Sequence, residues 1–226
     1  MFGLKFKAKS NDKIDERHIH KIVDFTCISP LLTKKELEKL MCVAYKNKYY
    51  SFCINPVNVK YAQEYNELKF KSALQISTVI GFPLGETTVD AKVYEIKKAL
   101  LDGADELDVV ITISRVKMGD YGYIKNEISR IVKAAKKHVV KIIVETSYLN
   151  KQELAKVCSI CAKYKVDYIQ TSTGFAGGAT IEDVETIKSH SNNRYKVKAS
   201  GGIETNNQGV ILMRAGAERI GTSREI

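Results

Sequence analysis

Three charged residues stand in this chain where a strand would bury them. Asp24 in HKIVDFTCI, Asp108 in DELDVVIT and Lys198 in YKVKAS each sit among apolar or β-branched neighbours. A charge inside such a run is costly unless it is paired, so these groups are candidates for a functional site. A fourth run, VDYIQTST, carries the amide of Gln170 and ends in Thr171, Ser172 and Thr173, with Gly174 next, small groups suited to a sugar or a phosphate. Glycines gather late in the chain, at Gly174, Gly177-Gly178, Gly201-Gly202 and Gly221. Bare backbone N–H groups in such loops cradle an anion without a cationic side chain. Taken singly, each of these is a polar residue closing a strand or a glycine serving a tight turn. Their joint placement is what points to a site.

Eight short β-branched runs are available to position them: 20–28, 49–54, 73–80, 105–112, 139–146, 166–173, 195–200 and 217–223. Most are continuous apolar stretches, as expected for parallel strands buried on both faces. Amphipathic segments fill the gaps, and no Pro/Gly/Ser-rich linker interrupts the alternation. Thr33 with Glu36 and Asn150 with Glu153 form capping-box patterns at two helix starts. Asp102-Gly103-Ala104-Asp105 and Ala215-Gly216-Ala217-Glu218 repeat a helix-stop signal before a strand. Strict alternation eight times over predicts an α/β fold, a (β/α)8 TIM barrel forming a single domain over residues 1–226. An open doubly wound sheet is the competing architecture, but no G-x-G-x-x-G follows the first run. The eighth run closes on Ser223, and only Arg224, Glu225 and Ile226 follow it. The barrel is therefore expected to end on a short or truncated final helix.

A barrel carries its active site at the C-terminal ends of its strands. Those ends hold Asp24 with Thr26, Cys53 with Asn55, Thr78, Asp108, Glu145 with Thr146, Gln170 to Gly174, Lys198 with Ser200, and Gly221 with Ser223. The loops after the seventh and eighth strands, where barrels often hold phosphate, contain Gly201-Gly202 and Gly221-Thr222-Ser223. Gly174, Gly201, Gly202, Gly221 and Ser223 are the expected phosphate ligands.

Composition narrows the partners. The chain has 226 residues, 44% of them hydrophobic, and a formal net charge of +10. The basic residues are spread along the whole length and accompany no nucleic-acid motif, so a solvated lysine surface is expected and no nucleic acid. No apolar run approaches the roughly 18 residues of a bilayer span. The N-terminus lacks an apolar signal core, and a cytoplasmic protein with no membrane partner is the expectation. Cys27, Cys42, Cys53, Cys158 and Cys161 are an odd, dispersed set that fits reduced thiols. Cys158 and Cys161 read as small core residues one helical turn apart. His18 and His20 are close enough to share a metal, yet no strand-end cluster joins them, and no metal is expected.

With these positions in view, the chain resembles the deoxyribose-phosphate aldolases, class I aldolases on the (β/α)8 barrel. The likeness rests on Asp24-Phe25-Thr26, SFCINP (51–56), TVIGFPLG (78–85), GADELDVV (103–110), KIIVET (141–146), TSTGF (171–175) with GGAT (177–180), and VKASGGI (197–203). It implies reversible cleavage of 2-deoxy-D-ribose 5-phosphate to acetaldehyde and D-glyceraldehyde 3-phosphate, with no cofactor. It also implies a strand-six lysine that forms a Schiff base, a strand-seven lysine that lowers its pKa, and a strand-four aspartate that moves protons. Asp108 matches the aspartate and Lys198 the second lysine, while Gln170 stands at the Schiff-base position. Asp24, Thr26, Cys53 and Thr173 fall where substrate is expected to bind. The expected partner is a small sugar phosphate, and the expected assembly a homodimer.

Departures from the family pattern shape the functional expectation. An amide nitrogen has its lone pair delocalised into the carbonyl, so Gln170 cannot form an imine. Removing a like charge at position 170 should leave Lys198 protonated, held by Asp108. Glu204 follows GGI where relatives commonly carry arginine, and the loop after Gly174 is one residue shorter than GFSTGGAT-like patterns. The tail that bears a proton-transferring tyrosine in some relatives is absent. Three expectations follow: an aldolase by descent with weak or no turnover, a non-catalytic sugar-phosphate-binding homologue with a sensing or assembly role, and an active lyase working through Lys198.

Overall fold

The computed structural model describes residues 16–226, with side chains from Ile19 onward. The β-branched runs become eight strands: β1 Val23–Cys27, β2 Ser51–Ile54, β3 Gln75–Ile80, β4 Glu106–Val110, β5 Val139–Ile143, β6 Tyr168–Gln170, β7 Lys196–Ser200 and β8 Arg219–Thr222. Each pairs in parallel with the next, and β8 returns to β1, with Asp24 opposite Gly221, so the sheet closes in sequence order. The expected (β/α)8 barrel is the observed one.

Around it run α1 Lys34–Lys46, α2 Val59–Phe70, α3 Val89–Leu101, α4 Ile113–Lys117, α5 Tyr121–Ala135, α6 Lys151–Tyr164, α7 Ile181–Ser189 and α8 Asn206–Arg214. Their apolar faces bury Ile96, Ile128, Val157, Ile187 and Leu212 against outward-facing strand residues such as Phe25 and Phe52. Both expected capping boxes form, at Thr33 with Glu36 and at Asn150 with Glu153, and Thr205 with Gln208 adds a third at the start of α8. Cys158 and Cys161 are buried in α6, and all five cysteines are free thiols. Lys92 of α3 donates to Glu127 of α5 at 2.6 Å and to Thr112 after β4 at 3.1 Å, a fully buried link between helices and barrel.

Three strand boundaries differ from the sequence reading by three residues, and the others by two or fewer. The first strand starts at Val23, because Glu16–Ile22 forms a 3-10 turn whose Ile19 packs beside Gly209 of α8. Ile19 and Ile22 stand three apart, the period of that turn. The fifth and sixth strands stop at Ile143 and Gln170, short of the expected 146 and 173. Glu145 at φ 49° turns the fifth strand's chain away from the sheet. Residues 223–226 carry no helix. The side chain of His18, half of the histidine pair considered above, lies outside the described residues. Among the described residues no helix is long and apolar enough to cross a membrane.

Candidate active site

The barrel interior is polar. Asp24 of β1, Glu106 and Asp108 of β4, Lys141 of β5, Lys198 of β7 and Arg219 of β8 point inward and are almost wholly buried. Strand alternation brings them together, since residues two apart on a strand face the same side. Lys198 Nζ donates to Asp108 Oδ2 at 2.5 Å and lies 2.7 Å from Asp24 Oδ2. Lys141 Nζ reaches Asp108 at 2.9 Å, Glu106 at 2.6 Å and Asp24 at 3.1 Å. Asp24 Oδ2 is thus near both ammonium groups, close enough to pair by charge without the alignment of a hydrogen bond. Arg219 donates to Asp24 and to Glu106, and its guanidinium lies 3.3 Å from the centre of the Tyr50 ring. Three carboxylates meet three cations, and the cluster is balanced.

Its electrostatics follow from that balance. Burial alone would push the Asp24 carboxyl up, but Lys141, Lys198 and Arg219 hold it well below the usual carboxylate range. Burial likewise opposes the charge on Lys198, and Asp108 and Asp24 outweigh it, so the ammonium is held above the ordinary lysine range. Lys141 is raised further for the same reason. The Cys53 thiol is pushed up to about 12, first by burial and then by Asp108.

Above the cluster opens a cavity of about 530 Å³, a size usual for small-molecule sites. Thr26, Cys53, Asp108, Gln170 and Ser200 form its lower wall, and Thr173, Gly174, Gly201, Gly202, Gly221 and Ser223 its upper part. Asp24 and Lys198 do not line it and lie beneath the floor to which Asp108 contributes. The expected residues therefore gather in one place, in two layers.

The loops after β6 and β7 meet backbone to backbone at their glycines. A Cβ on Gly201, at φ 95°, would stand 2.9 Å from Gly177 O and 3.2 Å from Gly174 Cα. Ala179 N donates to Gly201 O at 3.0 Å across the same contact. A Cβ on Gly221 would meet Ser200 Cβ at 2.8 Å and Lys198 Cε at 3.0 Å, so that glycine also makes room for the lysine stem. Thr173 is fixed by Glu145, whose Oε2 accepts from the Thr173 backbone N–H at 3.1 Å and from its hydroxyl. At the mouth Glu204 and Arg224 stand exposed with opposite charges, and Phe82 packs edge-on against Phe175 at 5.6 Å. Arg224 is the one cation along the cavity among the described residues.

Sequence reasoning missed Lys141, Glu106, Arg219 and Arg224. Lys141, in the middle of β5, and Arg219, the first residue of β8, carry the same signal as Lys198, a cation in an apolar run.

Comparison with known proteins agrees with the barrel fold. Residues 13–221 match the family model described as DeoC/LacD family aldolase. A deoxyribose-phosphate aldolase of Thermococcus gammatolerans is 46% identical over 208 residues, covering 91% of this chain and 92% of the relative. Among solved structures, QR15, an aldolase, superposes with a TM-score of 0.86 at 40% identity over 93% of this chain and 92% of that one. A deoxyribose phosphate aldolase from Aeropyrum pernix, described as tetrameric, gives a TM-score of 0.84 at 30% identity over 92% and 88%.

Proposed function

Because this chain belongs to the DeoC/LacD aldolase family, we propose that it holds a sugar phosphate of the 2-deoxyribose 5-phosphate type in the cavity and turns it over weakly or not at all. The observation that carries the reading is the pair of contacts on Lys198, 2.5 Å to Asp108 and 2.7 Å to Asp24, beside an amide at position 170. An imine needs a neutral amine at the bound carbonyl. An unperturbed lysine with pKa about 10.4 is neutral in only about one copy in 2,500 at pH 7. Lys198, clamped by two carboxylates beneath the floor, is a poorer nucleophile still.

In this reading Asp108 gives the sugar a polar floor with Lys198 held behind it, and Thr26, Cys53 and Thr173 contact its hydroxyls. The phosphate lies against the N–H groups of Gly174, Gly201, Gly202 and Gly221 and the Ser223 hydroxyl. No cofactor has a part. Binding without cleavage leaves a sensing or assembly role. A single domain over the whole chain, a cytoplasmic setting and a homodimer belong to the same reading. Leu68 of α2 and Tyr94 and Leu101 of α3 are large exposed apolar residues available to an interface, and sedimentation that returned a monomer would remove the dimer from the proposal.

The test is reductive trapping. Protein incubated with acetaldehyde or 2-deoxyribose 5-phosphate, treated with borohydride and weighed intact should show no added mass at neutral pH. A thermal shift with 2-deoxyribose 5-phosphate should still appear. A mass increment mapping to Lys198 would overturn the proposal in favour of an active lyase.

A further inference from the structure

The orientation of the Gln170 amide says what the cavity reads. Gln170 is 5% exposed and sits in the cavity wall. Its Nε2 donates to Ser200 Oγ at 2.8 Å, with Ser172 O at 3.5 Å. A serine hydroxyl has one hydrogen to give. Ser200 gives its hydrogen to Ser172 O, so toward Gln170 it can only accept. Flipping the amide would set Oε1 against that acceptor, or take from Ser172 O its hydroxyl donor. The polarity of the side chain is thereby fixed by two serines on neighbouring strand ends.

The other end of the amide is left over. Gln170 Oε1 is buried with no hydrogen-bond partner among the described residues. A buried acceptor without a donor is unfavourable, and sites that hold one reject ligands unable to satisfy it. An aldehyde presents only acceptor lone pairs at its carbonyl oxygen, whereas a hydroxyl presents a hydrogen.

We infer that the cavity is set for a phosphorylated sugar or sugar alcohol whose C1 carries a hydroxyl, with that hydroxyl donating to Gln170 Oε1. The inference rests on the sugar-phosphate reading above and adds the functional group that is recognised. The substitution at position 170 then changes the preferred ligand as well as removing a nucleophile. The free aldehyde form is the disfavoured ligand.

Two matched pairs of ligands test this by calorimetry. The open-chain pair is 2-deoxyribitol 5-phosphate and its analogue with a methyl group at C1. The ring-closed pair is 2-deoxyribofuranose 5-phosphate and its 1,4-anhydro analogue, which lacks the C1 hydroxyl. Inorganic phosphate is the reference. In at least one pair the C1 hydroxyl should tighten binding about tenfold or more, and the pair that responds identifies the open or the closed source. In Gln170→Met, which keeps the length but not the acceptor, the ratio should fall to about twofold or less. Equal affinity within both pairs, each tighter than phosphate, overturns the inference and leaves the sugar-phosphate reading standing. No ligand tighter than phosphate overturns both. A preference that survives in Gln170→Met places recognition of the hydroxyl elsewhere and also overturns it. The ratio in the unsubstituted chain needs no variant to be decisive.

Discussion

On the function proposed above, a single side chain at position 170 separates a binding pocket from an aldolase. Gln170→Lys would set a second ammonium across the β6–β7 pair from Lys198, where the two residues are in register. Like-charge repulsion draws one member toward the roughly 7–8 at which catalytic lysines work. The neutral fraction at pH 7 would rise about a hundredfold or more over a free lysine. We therefore expect this variant to gain cleavage of 2-deoxyribose 5-phosphate by about two orders of magnitude over background, read by glyceraldehyde 3-phosphate release, with borohydride trapping at position 170. No gain would mean that the pocket has departed from the family in more than one residue. Glu204 is a second residue with a definite sign. It stands exposed at the mouth beside the glycine loops, so Glu204→Gln should tighten sugar-phosphate binding about threefold at low salt. The gain should fade as salt rises, because exposed charges are screened within about 10 Å at 0.1 M. A gain indifferent to salt would point to a cause other than charge.

Elements carry the precision of the site, and the contact between the loops after β6 and β7 is one of its tight points. Gly201→Ala would place a methyl group 2.9 Å from Gly177 O in a left-handed backbone, at a cost of about 1–3 kcal/mol. It should lower the melting temperature and weaken phosphate and sugar-phosphate binding together. A stable variant with unchanged affinity would remove this loop from the proposed cradle. Such elements were legible in the sequence to the extent that their cause is local. Buried parallel strands announce themselves as apolar runs, and the Thr33 and Asn150 caps as side chains three residues from a glutamate. The five-residue α4 gives too short a period to read. Glu106, Lys141 and Arg219 were missed because their partners lie on other strands, and only register says which charges meet. The pairing of Gln170 with Ser200 joins residues thirty apart and depends on where one hydroxyl hydrogen goes, which no pattern records.

Over the whole molecule, the charged interior should dominate how stability responds to substitution and to pH. Lys141→Met would leave Asp24, Glu106 and Asp108 with two cations between them, and breaking a buried pair costs about 3–5 kcal/mol. A denaturant midpoint that barely moved would show the cluster to be slack. The pH dependence has a definite sign on each side. Asp24 is held below its ordinary value, so its contribution is in full above about pH 4 and is lost as pH falls through the folded value. Lys141 and Lys198 are held above theirs, so their contributions last up to about pH 10.5 and are lost as pH rises past their folded values. Melting temperature should be level between these limits and fall outside them, and a decline near neutrality would count against this assignment. The same arrangement bears on how the chain is made. Arg219 pairs with Asp24 and Glu106, residues 195 and 113 positions earlier. While the ribosome is still adding the last strands, the acids are present and most of their counter-charge is not, so an emerging chain must keep its future centre wet. Closure then waits on β7 and β8. Translation that halted before Lys196 should release a polypeptide prone to capture by proteases, whatever secondary structure it had already gathered.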